Sequence, residues 1–474
     1  MQRYILYGLG FNCRQALDLD SSLLESVLCF SDADPEKRRA GSFNGKPVVS
    51  PEELPSLLKS REQIVITTQK YESEIREALT KRYGIPDEAL IGLPEWVRAV
   101  FSPTCSRILS RLPDQESRDF FYARLDYAST RLAEPFISLI KRYSTGRRYQ
   151  SWHLGQRMKK SGLTRAVLFS GKDFLRVNLD ILSLCRIPVA AACCPDTAGI
   201  CPGSAEGGPE RPAFLQDEEP GFESLTSPKY SDCIYIIPGY NGWQHQIADL
   251  LRARSIPEDR IWLLPGTPCC TGFRNGQYFD VWEPRKEEVF LDCGAYDGRT
   301  TREFIQWTGG HYGAVAAFEP LSGMESVFWS LNREARNVHF VPAAVWSETA
   351  ELRFEETADR SASNIRGVIH HHPVREHVVP AVSLDEAVNG PVTLIKLDVE
   401  GSELAALKGA ETILRTQRPR LAVSIYHGDM DFLNIPDYLL SIVPEYRFLI
   451  RHYGADLLET VLYASTDQAD FRTL

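Results

Sequence analysis

Residues 287–299 read Glu-Glu-Val-Phe-Leu-Asp-Cys-Gly-Ala-Tyr-Asp-Gly-Arg, and the fold is decided here. Val289, Phe290 and Leu291 predict a short apolar strand that closes on an acid, Asp292. Glycines at 294 and 298 predict a turn, and a helix opens near Thr300. Strand, acid, glycine turn and helix in this order are how a doubly wound α/β sheet builds a nucleotide crevice. Glycine lets backbone approach a ligand closely, and the helix start offers free N–H groups. The spacing is D-x-G-x-x-x-G, not the G-x-G-x-x-G that cradles a pyrophosphate. An acid beside the turn repels phosphate and suits an ammonium.

The alternation continues downstream. Ala314–Phe318 predicts a second strand ending on Glu319-Pro320, where a carboxylate is placed to take two ribose hydroxyls. Val338–Val341 is a third strand. Ala343, Ala344 and Val345 then supply small residues beside which an adenine fits. Thr393–Leu397 is a fourth strand closing on Asp398-Val399-Glu400-Gly401, and Leu421–Ile425 a fifth ending at Tyr426-His427. Tyr446–Arg451 and Glu459–Ala464 predict a final hairpin. Asp292, Glu319 and Asp398 thus fall at three strand ends and converge on one crevice. An acid at the turn and a ribose-binding acid together point to S-adenosylmethionine, whose methionine end is zwitterionic.

The pieces VFLDCGAYDGRT, AFEP, VPAAVW, SLDE, LIKLDVEGSELAALKGAETIL, RPRLAVSIYH, RHY and ETVLYA make Val289 to Ala464 resemble the FkbM family of S-adenosylmethionine-dependent methyltransferases. The resemblance implies a class I, Rossmann-like methyltransferase domain with a seven-stranded sheet. It implies O-methylation of a hydroxyl on a sugar, glycan or related natural product. By the same resemblance, Asp292, Gly294, Ala295, Asp297 and Gly298 line the methionine side of the cofactor. Glu319 and Pro320 meet the ribose, Ala344 and Val345 sit by the adenine, and Asp398 closes the methionine side. The resemblance covers only the last part of the chain.

An alcohol becomes a competent nucleophile as its proton leaves, so a base within hydrogen-bond reach is needed. Asp398, Glu400 and His427 are the catalytic candidates, with Glu403 nearby. His427 has the best-matched ordinary pKa. A divalent metal held by Asp398, Glu403 and His427 is a minor alternative, and no metal is assigned. The His370-His371-His372 cluster with His377 reads as a polar loop before a strand.

Upstream, four segments precede residues 287–474. Residues 1–95 predict a small Rossmann-like α/β module, with strands Tyr4–Tyr7, Val27–Ser31 and Ile64–Thr67. Its Gly8-Leu9-Gly10 turn and Asp32 mimic a dinucleotide fingerprint, but Cys13 stands where a third glycine belongs. Residues 96–162 are a basic helical linker: Trp96 to Arg165 holds 14 Lys/Arg against 5 Asp/Glu. Within it the basic run Lys141-Arg142-Tyr143…Arg147-Arg148-Tyr149…Lys159-Lys160 reads as a solvated helical face, and no nucleic-acid reading motif accompanies it. Residues 163–266 parallel the first module as a pseudo-repeat. Ile256-Pro257-Glu258-Asp259-Arg260-Ile261-Trp262-Leu263-Leu264-Pro265 answers Ile85-Pro86-Asp87-Glu88-Ala89-Leu90-Ile91-Gly92-Leu93-Pro94. A Pro/Gly/Glu-rich insertion, 197–228, reads as a surface loop. Residues 267–286 are a connector whose 280–284 stretch would lie over the cofactor mouth.

The chain has 474 residues, 43% hydrophobic and 24% charged, which is ordinary for a globular protein. It has no run of 18 apolar residues, and the opening MQRYILYGLG lacks a signal-peptide layout. Eleven cysteines, an odd number, read as free thiols in a reducing compartment, so a cytoplasmic protein is expected. Adjacent pairs such as Cys193-Cys194 do not make a zinc knuckle. The expected partner is a small-molecule or glycan acceptor; the oligomeric state is left open, homo-oligomerisation included. The competing reading is a non-catalytic or nucleotide-sugar-binding scaffold that keeps a methyltransferase fold.

Overall fold

The computed structural model describes residues 2–59, 61–68, 71–143, 158, 160–170, 175–184, 187–193, 226–238, 244–264, 276–356, 363–365, 375–454 and 457–472. The His370–His372 cluster, Asp196, the body of the 197–228 insertion and four of the cysteines between Cys193 and Cys270 (Cys194, Cys201, Cys269 and Cys270) lie outside them. So does the second half of the basic run, 147–149.

Six short strands open the chain: β1 (Tyr4–Tyr7), β2 (Val27–Ser31), β3 (Ser42–Phe43), β4 (Lys46–Val49), β5 (Gln63–Ile66) and β6 (Leu90–Gly92). Their order is β3-β4-β2-β1-β5-β6, parallel except for the β3/β4 pair. Strands β7 (Arg165–Phe169), β8 (Val189–Cys193), β9 (Cys233–Pro238) and β10 (Ile261–Leu264) form a second sheet, β10-β9-β7-β8. Read from the other edge, this is the order β2-β1-β5-β6. The likeness extends to irregularities. The β1/β2 register slips between Tyr4 and Ile5, and the β7/β8 register between Ala166 and Val167, the residues that sequence alignment equates. Gly8 N–H donates to Ser31 O as Ser170 N–H donates to Cys193 O. Ile85 N–H donates to Leu79 O as Ile256 N–H donates to Leu251 O.

The remaining strands are β11 (Glu288–Cys293), β12 (Tyr312–Phe318), β13 (Val338–Val341), β14 (Ala344–Val345), β15 (Ala350–Glu356), β16 (Asn364–Ile365), β17 (Arg375–Val382), β18 (Leu394–Leu397), β19 (Arg420–Ser424), β20 (Arg447–His452) and β21 (Thr460–Ser465). Seven of them make the large sheet, β13-β12-β11-β18-β19-β21-β20, parallel up to β19 and antiparallel across β19/β21 and β21/β20. Every residue of β18, β19 and β21 is buried, as continuous apolar strands in the middle of a covered sheet require. The chain switches sides between β11/β12 and β18, so the crevice lies above the C-terminal ends of β11 and β18. Strands β14-β17-β15-β16 form a small separate sheet.

Arg142 of the basic run is exposed, while other arginines of the helical linker, Arg107, Arg124 and Arg131, tie its helices to the large sheet and the elements flanking it. Helix Gln115–Thr130 starts on Asp114, whose Oδ1 accepts the Ser117 N–H at 2.8 Å, and the same carboxylate pairs with Arg451 of β20. Arg131 pairs with Asp429, Arg107 with Asp437, and Arg124 reaches Leu457 O and Thr460. Phe120 and Phe136 pack on His452. The helices thereby cover the β20 edge, which would otherwise present unpaired backbone. One hydrophobic core runs unbroken from Leu6 and Phe30 through Trp96 and Phe120 to Ile395, Leu414 and Phe448. The second sheet instead packs around two cores of its own, one holding Leu168 and Trp262, the other Phe169 and Tyr235.

Candidate active site

The glycine turn is built over a buried ionic frame. Strands β11 and β18 pair in register, Asp292 opposite Lys396 and Cys293 opposite Leu397. Lys396 Nζ donates to Cys293 O at 3.1 Å and Gly294 O at 2.6 Å, and lies 3.3 Å from Asp292 Oδ1. Asp292 Oδ2 accepts the Thr301 hydroxyl at 2.7 Å. Burial pulls the Lys396 ammonium down, but the Asp292 and Asp398 charges outweigh it and leave its pKa raised. Asp292 is 0% exposed, and its carboxylate is held between Lys396 and Thr301 beneath the turn.

The turn itself needs glycine. Gly294 has φ +81, and a Cβ there would stand 1.9 Å from Asp398 O. The bare backbone is what lets the β11 turn pass the β18 turn. Gly294 and Ala295 N–H both donate to Phe318 O at 3.0 Å, which leaves Ala295 buried against Ala317 and Phe328. Gly298 caps helix Arg299–Trp307, and Asp297 spends its carboxylate on Arg299.

Glu319 stands at the end of β12, 5% exposed, with Pro320 after it. Its carboxylate accepts Tyr296 N–H at 3.0 Å and Leu321 N–H at 2.8 Å, which uses two of about four acceptor positions. Burial raises its pKa. It is suited to receive two vicinal hydroxyls. Ala344 packs with Leu321 and Met324, and Val345 is enclosed in the main core.

Asp398, Glu400 and His427 come together at the ends of β18 and β19. His427 Nε2 is 3.7 Å from Asp398 Oδ1 and 3.4 Å from Glu400 Oε2. Its Nδ1 is 3.0 Å from Oε1 of Glu403, which is fully buried and also accepts the Val399 N–H. Burial lowers the His427 pKa, but the Glu403 and Glu400 charges prevail and lift it well above the ordinary value. Burial pushes the Glu400 carboxyl up, partly offset by His427.

Tyr278 donates its hydroxyl to Asp398 Oδ2 at 2.7 Å, and the Tyr426 hydroxyl lies 3.3 Å from Oδ1. The connector thus reaches the site through Tyr278, while Val281 and Trp282 are buried in the core below. Sequence reasoning passed over Lys396, Thr301, Tyr278 and Tyr426. Lys396 carried a usable signal: a lysine inside Leu394–Leu397, a strand otherwise wholly apolar. Tyr278 carried none.

Fold and site together define a methyltransferase-like α/β protein. Residues 292–455 match the family model of the methyltransferase FkbM domain. Among solved structures, the chain is similar to the methyltransferase FkbM of Methylobacillus flagellatus KT at 17% identity, over 98% of this chain and 90% of that one, with a TM-score of 0.39. An rRNA methylase of Streptococcus thermophilus matches at 15% identity over 39% of this chain and 88% of that one, TM-score 0.25. SMU.1697c of Streptococcus mutans, in complex with SAH, matches at 12% over 39% and 92%, TM-score 0.26. The comparison with curated proteins gave no match. Among the described residues, no helix is long and apolar enough to cross a membrane.

Proposed function

We propose that the chain is an S-adenosylmethionine-dependent O-methyltransferase acting on a hydroxyl of a sugar, glycan or related natural product. The observation that carries this is one crevice with two chemistries: Glu319 beside a bare glycine turn, and the Asp398–Glu400–His427 cluster one strand away. S-adenosylmethionine supplies a methyl on a sulfonium, so transfer breaks S–CH3, forms O–CH3, leaves a neutral thioether and releases the hydroxyl proton. Glu319, already held by Tyr296 and Leu321 N–H, has acceptor positions left for the ribose hydroxyls. Gly294 keeps side-chain bulk away from the methionine end. Asp398, fixed by Tyr278, presents a negative charge to the ammonium. The acceptor proton leaves toward the Asp398–Glu400–His427 cluster.

Cys13, Cys29, Cys105, Cys233 and Cys293 are buried free thiols, which supports a reducing, cytoplasmic setting. Calorimetric titration with S-adenosylmethionine tests the reading: micromolar binding to the wild type, lost in Glu319→Ala, is expected. Failure of the wild type to bind would overturn it.

The nucleotide-sugar reading of the first module has one observation behind it. Asp32 accepts the Leu9 N–H at 2.7 Å, as a fingerprint acid beside a glycine turn would. Its other oxygen accepts Asp34 N–H and Lys37 lies 3.3 Å away, so the carboxylate is already well partnered. Absence of any fluorescence change on titration with NADH would end the dinucleotide form of that reading.

A further inference from the structure

Asp398, Glu400 and His427 each offer one ligand atom, and these atoms lie within 4.8 Å of one another. His427 makes the grouping more than a cluster of acids. Its side chain is 5% exposed, and its Nδ1 is taken by Glu403 Oε1 at 3.0 Å. In the neutral ring, a carboxylate on one nitrogen fixes the tautomer and leaves the other nitrogen with its lone pair outward. That other nitrogen, Nε2, is buried and completes no hydrogen bond among the described residues. It faces Glu400 Oε2 at 3.4 Å and Asp398 Oδ1 at 3.7 Å. Buried polar atoms are seldom left this way unless something is meant to complete them.

Neighbouring ligands in an octahedral shell around a cation of Mg2+ or Mn2+ size lie about 3 Å apart. The two measured separations are within several tenths of an ångström of that, so small side-chain shifts suffice. Glu400 sits at φ +52, a backbone conformation that L side chains rarely adopt, and it is this turn that brings its carboxylate to His427. Tyr278 and Tyr426 hold the Asp398 carboxylate as outer hydrogen-bond partners, and Glu403 does the same for the imidazole.

We propose that Asp398, Glu400 and His427 bind a divalent cation of the Mg2+/Mn2+ class. Two carboxylates and one imidazole make a mixed O/N set without thiolate, which suits Mn2+ better than a structural zinc or an all-oxygen calcium site. A proton and a cation are alternative occupants of the point between Nε2 and the two carboxylates. Three protein ligands leave positions for water or for two adjacent hydroxyls of a sugar. That last step alone rests on the O-methyltransferase reading; cation binding does not.

The test is a titration of metal-free, full-length protein with Mn2+, following the free aqua-ion by electron paramagnetic resonance. One site per chain is expected, weakened at least tenfold in both Glu400→Gln and His427→Ala. Glu400→Gln is the decisive variant, since an isosteric change at a partly exposed turn keeps the fold where loss of a buried ring need not. No Mn2+ uptake by the wild type, or equal affinity in the folded Glu400→Gln protein, overturns the proposal. S-adenosylmethionine binding on the same samples separates the two readings. Cofactor binding without Mn2+ uptake defeats only the metal site, and Mn2+ uptake without cofactor binding supports the site and defeats only the methyl-transfer reading.

Discussion

The turns after β1 and β11 are pinned by the same two hydrogen bonds and differ in everything around them. Leu9 and Asp34 N–H donate to the two oxygens of Asp32 at 2.7 and 2.9 Å; Tyr296 and Leu321 N–H donate to the two oxygens of Glu319 at 3.0 and 2.8 Å. In both, an acid at the end of the second strand clamps the glycine turn of the first. Around the first turn the space is taken. Lys37 reaches Asp32, and the Thr67 hydroxyl donates to Gly8 O at 2.6 Å, close enough that a Cβ on residue 8 would meet it at 2.8 Å. Beneath the second turn lie Asp292, Lys396 and Thr301, and among the described residues no cation pairs with Glu319. The same local hydrogen bonding therefore serves two equally buried acids, 6% and 5% exposed. What separates them is the acid's remaining partners and the charge underneath.

The largest effect is expected at the frame. Lys396→Met leaves the Asp292 carboxylate buried without its cation, a change that costs about 3–5 kcal/mol where a buried pair is broken from one side. Urea denaturation should show that loss, with S-adenosylmethionine binding abolished alongside. Adding Asp292→Asn should recover a good part of the stability, because the pair is then removed from both sides. If the double variant is no more stable than Lys396→Met alone, the frame is not acting as an ion pair. Gly294→Ala comes next. The new methyl meets Asp398 O at 1.9 Å, so the β11 and β18 turns must part. Left-handed backbone adds about 1 kcal/mol of strain. Calorimetry should show cofactor affinity down at least tenfold; unchanged affinity would mean that the contact between the two turns does not shape the crevice.

Much of this contrast was written in the sequence, and the rest was not for identifiable reasons. The β11 and β12 strands, the glycines and the strand-end acids follow from local pattern, because a doubly wound sheet puts its loops at one known edge. Asp292 reads the same as Glu319 in such a pattern. Only the side chain across the sheet, Lys396, shows that Asp292 is already held by a buried cation. The anchoring of the helical linker was hidden for a similar reason: nothing in the local sequence of Arg131, Arg107 and Arg124 points to Asp429, Asp437 and the Leu457 carbonyl, some 300 residues away. His427 was legible as a titratable group at a strand end, but the upward push on its pKa was not, since Glu403 and Glu400 exert it through space.

Two smaller effects bring the comparison back to its acids. Glu319→Ala removes charge-assisted hydrogen bonds worth about 1.5–3 kcal/mol each, so S-adenosylmethionine should bind ten- to a hundredfold or more weakly, with a milder loss of stability than Lys396→Met. Asp32→Asn is the matched change in the first module and should do least. The asparagine oxygen still accepts one backbone N–H, its amide cannot accept the other, and the Lys37 pairing is lost. Thermal unfolding should therefore move down by a few degrees, in line with about 1 kcal/mol for one lost hydrogen bond. Cofactor affinity should stay within twofold of wild type, because Asp32 belongs to the first sheet and the crevice belongs to the large one. A loss of S-adenosylmethionine binding in Asp32→Asn comparable to that in Glu319→Ala would show that the continuous core from Leu6 to Phe448 couples the two turns, and that the first module shapes the site from a distance.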